Sequence, residues 1–198
     1  MKKYAVIVAG GNGTRMGSAV PKQFLQLRGK PVLWYTLETF LRAFDDLLII
    51  LVIPSDFEAE GGNLIQETMA PSRIRMVAGG ATRFHSVQNG LQHIKEGSVV
   101  FVHDGVRCLV TATLIRRCYQ QALEKGSAIP AVPVSDSMRI VEGEGTRPID
   151  RRSLLAVQTP QTFRSNIILP AFQQAYNEAF TDEATVAEAA GHKVFMIE

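Results

Sequence analysis

Short apolar runs alternate with longer amphipathic stretches along the chain, and this alternation restricts the fold more than any other feature. The runs predict strands at 4–9, 47–53, 74–77, 99–102, 127–133 and 193–197. The stretches predict helices at 32–43, 55–69, 82–94, 111–125, 166–178 and 182–190. Strands that alternate with helices of this length imply crossover connections and a mostly parallel α/β sheet. Because ligands of such sheets lie beyond the carboxyl ends of the strands, functional residues are expected just after the strands.

Length, charge and cysteine content exclude several classes of protein. The 198 residues suffice for one large domain, and no linker divides them, so we predict a single domain over 1–198. A net charge of +2 is too small to indicate a nucleic-acid or membrane partner. No run approaches about 18 apolar residues, and the N-terminal run is too short for a secretory signal. Cys108 and Cys118 form no metal-binding pattern, so we expect reduced thiols, no structural zinc and a cytoplasmic location.

One segment breaks the alternation of strands and helices. Residues 135–152, SDSMRIVEGEGTRPIDRR, contain two short strand-like runs around EGEGT and predict a hairpin. The segment has few large apolar residues, so it is not expected in the main core. A projecting arm that meets another subunit and a surface hairpin without a partner are both consistent with this pattern.

The first predicted strand runs directly into a glycine-rich loop, AGGNGTRMG at 9–17. Glycine allows the backbone to approach a ligand closely, and successive N–H groups can then bind phosphate oxygens. The dinucleotide fingerprint fails because its third glycine position is Met16, and the P-loop fails because no Gly-Lys-Ser/Thr follows. A looser phosphate-binding turn that uses Arg15 and Lys22 remains, beside the alternative of a surface turn with solvated charges.

The opening loop and PKQF at 21–24 resemble the nucleotidyltransferases that activate sugars and polyols. Further motifs follow in order: GGATRFHSV at 79–87, VHDGVR at 102–107, DSM at 136–138, DRR at 150–152, QTPQTF at 158–163 and TDEATVAEAAG at 181–191. Together they resemble the 2-C-methyl-D-erythritol 4-phosphate cytidylyltransferase family over almost the whole chain. The resemblance implies a doubly wound, Rossmann-like fold with a β-arm over 135–152 that embraces a second subunit of a homodimer. It also implies a reaction of CTP with methylerythritol phosphate that uses a divalent ion, usually Mg²⁺.

The resemblance implies a role for each matching residue. Arg15 and Lys22 would be the catalytic cations. The nucleotide would be bound by Ala9, Gly10, Gly11, Gly13, Gly79, Gly80, Arg83, Ser86, Asp104 and Gly105. The acceptor would be bound by Asp104, Arg107, Ser137, Arg151, Thr159 and Thr181, with Asp104 also the candidate metal ligand.

Several of these assignments have a structural alternative. Asp104 and Arg107 could form a buried ion pair, since an isolated carboxylate after an apolar strand is costly. Ser86 could open the helix that follows, and Thr181 could be the N-cap of the last predicted helix. His103 is interpreted as structural, because a phosphate nucleophile needs no general base.

The chain departs from the family pattern at four places, one of which is Ser137, where Thr is common. Ala81 replaces a frequent acidic residue, and Gly105-Val106-Arg107-Cys108 replaces Ala-Ala-Arg-Pro. The sequence ends at VFMIE, so the lysine-containing segment expected after it is either absent or lies beyond the chain given.

Three other functions remain to be compared with this one. A ribitol 5-phosphate cytidylyltransferase shares the opening loop, the central Asp and TPQ, whereas the intact TDEA favours methylerythritol phosphate. A non-catalytic nucleotide-binding domain would need neither Lys22 nor Arg151. A dehydrogenase would bind NAD.

Overall fold

The computed structural model describes residues 1–10 and 20–198. The α-helices of this part are α1 (Val32–Ala43), α2 (Glu58–Gln66), α3 (Arg83–Leu91), α4 (Ala112–Lys125), α5 (Ser165–Ala171) and α6 (Glu183–Ala189). Its strands are β1 (Lys2–Val8), β2 (Gln26–Leu27), β3 (Lys30–Pro31), β4 (Leu47–Ile53), β5 (Ile74–Ala78), β6 (Ser98–Asp104), β7 (Ser127–Pro133), β8 (Met138–Glu142), β9 (Gly145–Ile149), β10 (Leu155–Val157), β11 (Gln161–Arg164) and β12 (Met196–Ile197). No helix in these ranges is long and apolar enough to cross a membrane.

Eight of the described strands form one mixed, mostly parallel sheet. Its order is β10-β7-β11-β6-β1-β4-β5, and β12 adds to β7 in parallel. The strands β6, β1, β4 and β5 pair in parallel, whereas β11 runs antiparallel to β6 and β7, and β10 antiparallel to β7. Helices cover both faces, so the predicted doubly wound fold is confirmed. The chain extends from β1 to β4 on one side and later returns to β6 on the other, which places a switch point at the end of β1.

Burial on both faces explains why the central strands are continuous apolar runs. In β1, Ala5 and Ile7 belong to the core cluster that α1 and α4 cover, whereas Tyr4 and Val6 belong to the cluster under α3, α5 and α6. The same alternation holds along β4 and β6. A strand buried on both sides has no polar face, as expected for the centre of a parallel sheet.

The predicted element boundaries agree with the structure where hydrophobic periodicity is strong. The predictions for α1, β4 and β7 are correct to the residue, and Val87, Leu91 and Ile94 are buried as expected. The helix predicted at 55–69 is divided into a 3-10 turn at Ser55–Phe57 and α2. The strand predicted at 193–197 is only Met196–Ile197.

The region after β7 differs most from the prediction. Strands β10 and β11 were not predicted, because they are short and Gln161 and Thr162 are polar although both are buried. The helix predicted at 166–178 ends at Ala171. Phe172 and Phe180, which follow this helix, pack instead on Phe84 with ring centroids 4.8 and 5.6 Å away.

A two-stranded hairpin lies within residues 135–152. Its strands β8 and β9 pair only with each other among the described residues, from Met138–Ile149 to Glu142–Gly145. Val141 is 75% exposed. An isolated two-stranded hairpin is marginally stable in water, so this segment contributes little to the stability of the main core.

Candidate active site

Three loops meet at the switch point, and the backbone hydrogen bonds of the sheet extend to the first residue of each loop. The Ala9 amide donates to the Val52 carbonyl, the Gly105 amide to the Val8 carbonyl, and the Gly79 amide to the Ile53 carbonyl, each at 2.8 Å. These bonds fix the backbone just after β1, β5 and β6. The segments that carry the predicted nucleotide-binding residues therefore lie side by side at the carboxyl edge of the sheet.

The described part of the glycine-rich loop is anchored by a buried glutamine. The Gln23 side chain is 1% exposed, and its Nε2 donates to the Ala9 carbonyl at 2.8 Å. This bond connects the end of β1 to the 3-10 turn Lys22–Phe24. Lys22 is half-buried, and its ammonium has no carboxylate partner within residues 1–10 and 20–198. Gly11, Gly13 and Arg15 lie outside the described residues.

Ser86 connects the Gly79–Gly80 segment to α3. Its hydroxyl accepts from the Gly80 amide at 3.0 Å and donates to the Thr82 carbonyl at 3.0 Å. The N-cap of α3 is Thr82, whose side chain accepts from the His85 amide. The alternative in which Ser86 opens the helix is therefore wrong. Glycine is required at position 80, because an added Cβ would lie 2.5 Å from the Cβ and 2.8 Å from the carbonyl carbon of His85.

Four charged side chains form a cluster beside these loops. The Asp104 Oδ2 accepts from Arg107 Nε at 2.9 Å, and its Oδ1 accepts from Arg83 Nε and Nη2 at 3.3 and 3.2 Å. Arg83 also donates from Nη1 and Nη2 to Glu183 at 2.5 and 3.2 Å. The Asp104–Arg107 ion pair considered as the structural alternative exists, but it is not buried, since the Arg107 side chain is 44% and the Asp104 side chain 26% exposed.

The cluster keeps Asp104 ionised. Burial of Asp104 opposes the charged form, but the guanidiniums of Arg83 and Arg107 outweigh it and hold the pKa of Asp104 below its usual value. Burial likewise disfavours the charged form of Arg83, yet Glu183 and Asp104 raise its pKa above the ordinary value. Both groups are therefore charged at neutral pH.

His103 is a buried structural residue, as the sequence interpretation predicts. Its Nε2 donates to the Arg107 carbonyl at 3.2 Å, which leaves Nδ1 to accept from the Thr159 hydroxyl at 2.8 Å. The Thr159 oxygen in turn accepts from the Asp104 amide at 3.4 Å. Burial lowers the pKa of His103 to about 4, so the imidazole is neutral. The hydrogen bond between His103 and Thr159 thus joins the end of β6 to the segment before β11.

The start of α6 is held by its own cap and by the neighbouring strand. Asp182 is the N-cap and forms a capping box with Thr185, so the assignment of Thr181 as N-cap is wrong. Thr181 itself is exposed. The buried Gln161 of β11 accepts from the Ala184 amide at 2.8 Å and donates to Asp182 at 2.9 Å. These contacts seat the first turn of α6 against the sheet.

The two predicted acceptor-binding residues of the hairpin are exposed. Arg151 donates to the Ser135 carbonyl across the base of the hairpin, and Ser137 lies next to β8. Within the described ranges, no hydrogen bond or ion pair joins either residue to Asp104, Arg107, Thr159 or Thr181.

Sequence reasoning missed Glu183, Gln161, Gln158 and Gln23. Gln158 accepts from Arg107 through a short contact. All four lie within motifs that the sequence analysis quotes, so the motifs were a signal. The sequence did not reveal their roles, because an acidic or amide side chain beside a helix cap or a turn occurs in the same sequence pattern whether it is exposed or buried.

The structure brings three glycine-containing segments and a charged cluster together at one switch point of a doubly wound sheet, and the solved structures that share this fold place it among the nucleotidyltransferases. A crystal structure of 4-diphosphocytidyl-2C-methyl-D-erythritol synthase from Anaerococcus prevotii has the same fold, with a TM-score of 0.83 and 26% identity. The match covers 99% of this chain and 86% of that one.

Sequence comparison identifies the family within this class. The sequence model of 2-C-methyl-D-erythritol 4-phosphate cytidylyltransferase matches residues 4–198. Proteins of this name from Porphyromonas gingivalis and Bacteroides thetaiotaomicron are 47% and 44% identical to the chain. The matches cover 94% and 100% of this chain and 83% and 90% of the relatives. The chain belongs to the 2-C-methyl-D-erythritol 4-phosphate cytidylyltransferase family.

Proposed function

We propose that the protein transfers the cytidylyl group of CTP to 2-C-methyl-D-erythritol 4-phosphate and releases pyrophosphate. The observation that carries this proposal is the family match over residues 4–198. The meeting of the Ala9–Gly10, Gly79–Gly80 and Asp104–Gly105 segments at one sheet edge supports it. In this reaction a phosphate oxygen of the acceptor attacks the α-phosphorus of CTP, and the bond from that phosphorus to the pyrophosphate oxygen breaks.

Arg15 and Lys22 are the cations assigned to the reacting phosphates. Both the nucleophile and CTP are anions, so fixed positive charge is needed to offset their repulsion and the charge on departing pyrophosphate. Arg83 and Arg107 are less suited to this role, because each already has a carboxylate partner. The Lys22 ammonium has none within the described ranges, which supports its assignment.

A magnesium ion bound with CTP fits the donor set. Among the described residues there is no cluster of three His, Cys, Asp or Glu side chains that could hold a metal alone. Mg²⁺ is commonly held by one or two carboxylates together with substrate phosphates and water. Asp104 is ionised and would supply that carboxylate, and the ion would neutralise charge on the triphosphate.

The hairpin β8–β9 is proposed as the arm that joins two subunits of a homodimer. Val141 and Met138 of the arm are 75% and 41% exposed, and Leu155 of the edge strand β10 and Val132 of the adjacent β7 are 53% and 49% exposed. Exposed apolar side chains on a hairpin and an edge strand favour a protein partner. Arg151 of one subunit would then bind the acceptor phosphate at the site of the other.

A cytoplasmic location is part of the proposal. Its support is the state of the cysteines, since Cys108 and Cys118 are both free thiols. Proteins in oxidising compartments more often carry disulfides.

Pyrophosphate release from CTP, UTP, ATP and GTP with a panel of polyol phosphates tests the function. We expect release with CTP and methylerythritol phosphate, and little with the other nucleotides. Ribitol 5-phosphate is the essential comparison, and faster turnover with it would overturn the assigned acceptor. Absence of NAD binding would dispose of the dehydrogenase alternative.

A further inference from the structure

A buried carboxylate lies behind the site and has no role in the proposed chemistry. The Glu183 side chain is 1% exposed, at the first turn of α6. An ionised carboxylate removed from water requires a charged or hydrogen-bonding partner. Burial raises the pKa of Glu183, and its ion-pair partner Arg83 opposes this shift by donating to the carboxylate from both terminal nitrogens.

Arg83 uses the rest of its guanidinium to hold Asp104. The Nε and Nη2 atoms donate to the Asp104 Oδ1, while Nη1 and Nη2 face Glu183. The planar fork of Arg fixes the relative positions of the groups that it binds. Glu183 therefore helps to fix the position of the guanidinium, and the guanidinium on Oδ1, together with Arg107 on Oδ2, fixes the orientation of the Asp104 carboxylate.

The chain of contacts joins three separate elements. Glu183 is on α6 directly after Thr181 and Asp182, Arg83 begins α3 after the Gly79–Gly80 segment, and Asp104 ends β6. The first turn of α6 is itself fixed by Gln161. Glu183 thus lies in a capped and hydrogen-bonded first turn, and its carboxylate contacts Arg83.

We propose that Glu183 is a positioning residue that acts through Arg83 to orient Asp104 for the transfer step. The inference rests on the proposed function, because it assigns the importance of Asp104 to that reaction. Glu183 also compensates the charge of Arg83, so that the guanidinium binds Asp104 instead of turning towards the triphosphate.

The main test compares Glu183→Gln with Glu38→Gln. Glu38 is a matched control because it is 4% exposed, accepts from the Met69 amide at 2.7 Å and pairs with Arg42, while its partners lie outside the site. We expect Glu183→Gln to lower kcat at least about tenfold with the KM for CTP within about threefold, because misplaced groups affect the transition state most. Glu38→Gln should keep wild-type kcat even if its Tm falls. Equal kcat losses in the two variants would overturn the proposal.

A double variant shows whether the effect passes through Arg83. Glu183→Gln combined with Arg83→Gln should be no slower than Arg83→Gln alone, because residues in one network have non-additive effects. A double variant much slower than Arg83→Gln would contradict the proposal. Removing both charges avoids an unpaired buried ion, so the double variant is the one to use if Glu183→Gln does not fold. Wild-type kcat in the folded double variant would also overturn the proposal.

A crystal structure of Glu183→Gln separates this inference from the proposed function. We expect the Arg83 guanidinium to leave the Asp104 Oδ1, and an unmoved guanidinium would contradict the inference. A wild-type enzyme that transfers the cytidylyl group to no polyol phosphate would instead refute the proposed function.

Discussion

At the scale of single residues, Arg83 shows how the groups around a side chain change the role expected of it. Its match to a nucleotide-binding motif suggested a direct contact with the ligand. In the structure its guanidinium lies between the carboxylates of Glu183 and Asp104 and forms an ion pair with each. Its charge is largely compensated, so Arg15 and Lys22 are the better candidates for the reacting phosphates.

Replacing Lys22 by Ala should abolish turnover and leave CTP binding measurable. Loss of one group that stabilises developing charge typically costs about a hundredfold to a thousandfold in kcat. Single-turnover kinetics together with calorimetric titration of CTP measure both quantities. Lys30→Ala is the control, because Lys30 is paired with Glu67 at 2.8 Å and has no predicted role in the reaction. Unchanged turnover in Lys22→Ala would refute its catalytic assignment.

His103 should make stability depend on pH. Its pKa is about 4 in the fold and 6.5 ordinarily, so between these values the unfolded chain binds a proton that the native protein does not. Stability is therefore complete above about pH 6.5 and declines as the pH falls towards 4. From pH 7 to pH 5 the loss should be about 2 kcal/mol from this group.

Denaturant unfolding of the wild type and of His103→Gln at both pH values measures this contribution. Carboxylates also titrate in this range. The relevant quantity is therefore the difference between wild type and variant in the stability lost from pH 7 to pH 5. The variant should lose less stability than the wild type on acidification. Identical losses would show that His103 is not held neutral.

At the scale of elements, periodicity and tertiary contact determine different parts of the chain. α1 and β4 were predicted correctly because their apolar spacing is strong and each is a single regular element. β11 could not be predicted, because Gln161 and Thr162 are buried through contacts with α6 and the sheet rather than through a local apolar pattern. The start of α3 depends in the same way on Gly80, whose lack of a side chain lets the loop approach His85.

A methyl group at position 80 should therefore disturb both stability and nucleotide binding. The Cβ of Gly80→Ala would meet backbone and Cβ atoms of His85, so the loop or the helix must shift. We expect a loss of about 1–3 kcal/mol in the free energy of unfolding, as for other overpacked sites, with a higher KM for CTP. Thermal unfolding and steady-state kinetics measure the two effects.

Gly62→Ala is the matched control for this substitution. An added Cβ at Gly62 meets nothing within 4 Å, and the residue lies within α2. Because Ala is a better helix former than Gly, the Gly62→Ala variant should be as stable as the wild type or slightly more stable, with an unchanged KM for CTP. A Gly80→Ala enzyme as stable and active as Gly62→Ala would contradict the packing argument.

At the scale of the whole molecule, the order of strands brings the site together. β1 lies between β4 and β6, so residues around 10, 79 and 104 meet although they are far apart in sequence. The hairpin β8–β9 stands apart from this arrangement and forms no ladder with the described part of the main sheet. Its proposed role therefore depends on a second subunit.

Mixed dimers test whether the arm acts between subunits. A Lys22→Ala subunit paired with an Arg151→Ala subunit contains one site with both residues intact if Arg151 serves the partner's site. The two variants, refolded together and assayed at an acceptor concentration far below saturation, should then recover about a quarter of wild-type activity, since half of the dimers are mixed and each has one complete site. No recovery despite confirmed mixed dimers would show that Arg151 acts within its own subunit or not at all.

The sequence by itself determined the α/β class, the mostly parallel sheet and the family, because hydrophobic periodicity and ordered motifs are properties of the chain alone. It also assigned Asp104 and the Gly79–Gly80 segment to nucleotide binding, and this assignment stays a prediction. Only the tertiary structure decided that Glu183 pairs with Arg83, that His103 is neutral and that Asp182, rather than Thr181, caps α6. These outcomes depend on burial and on partners distant in sequence, such as the hundred positions between Arg83 and Glu183.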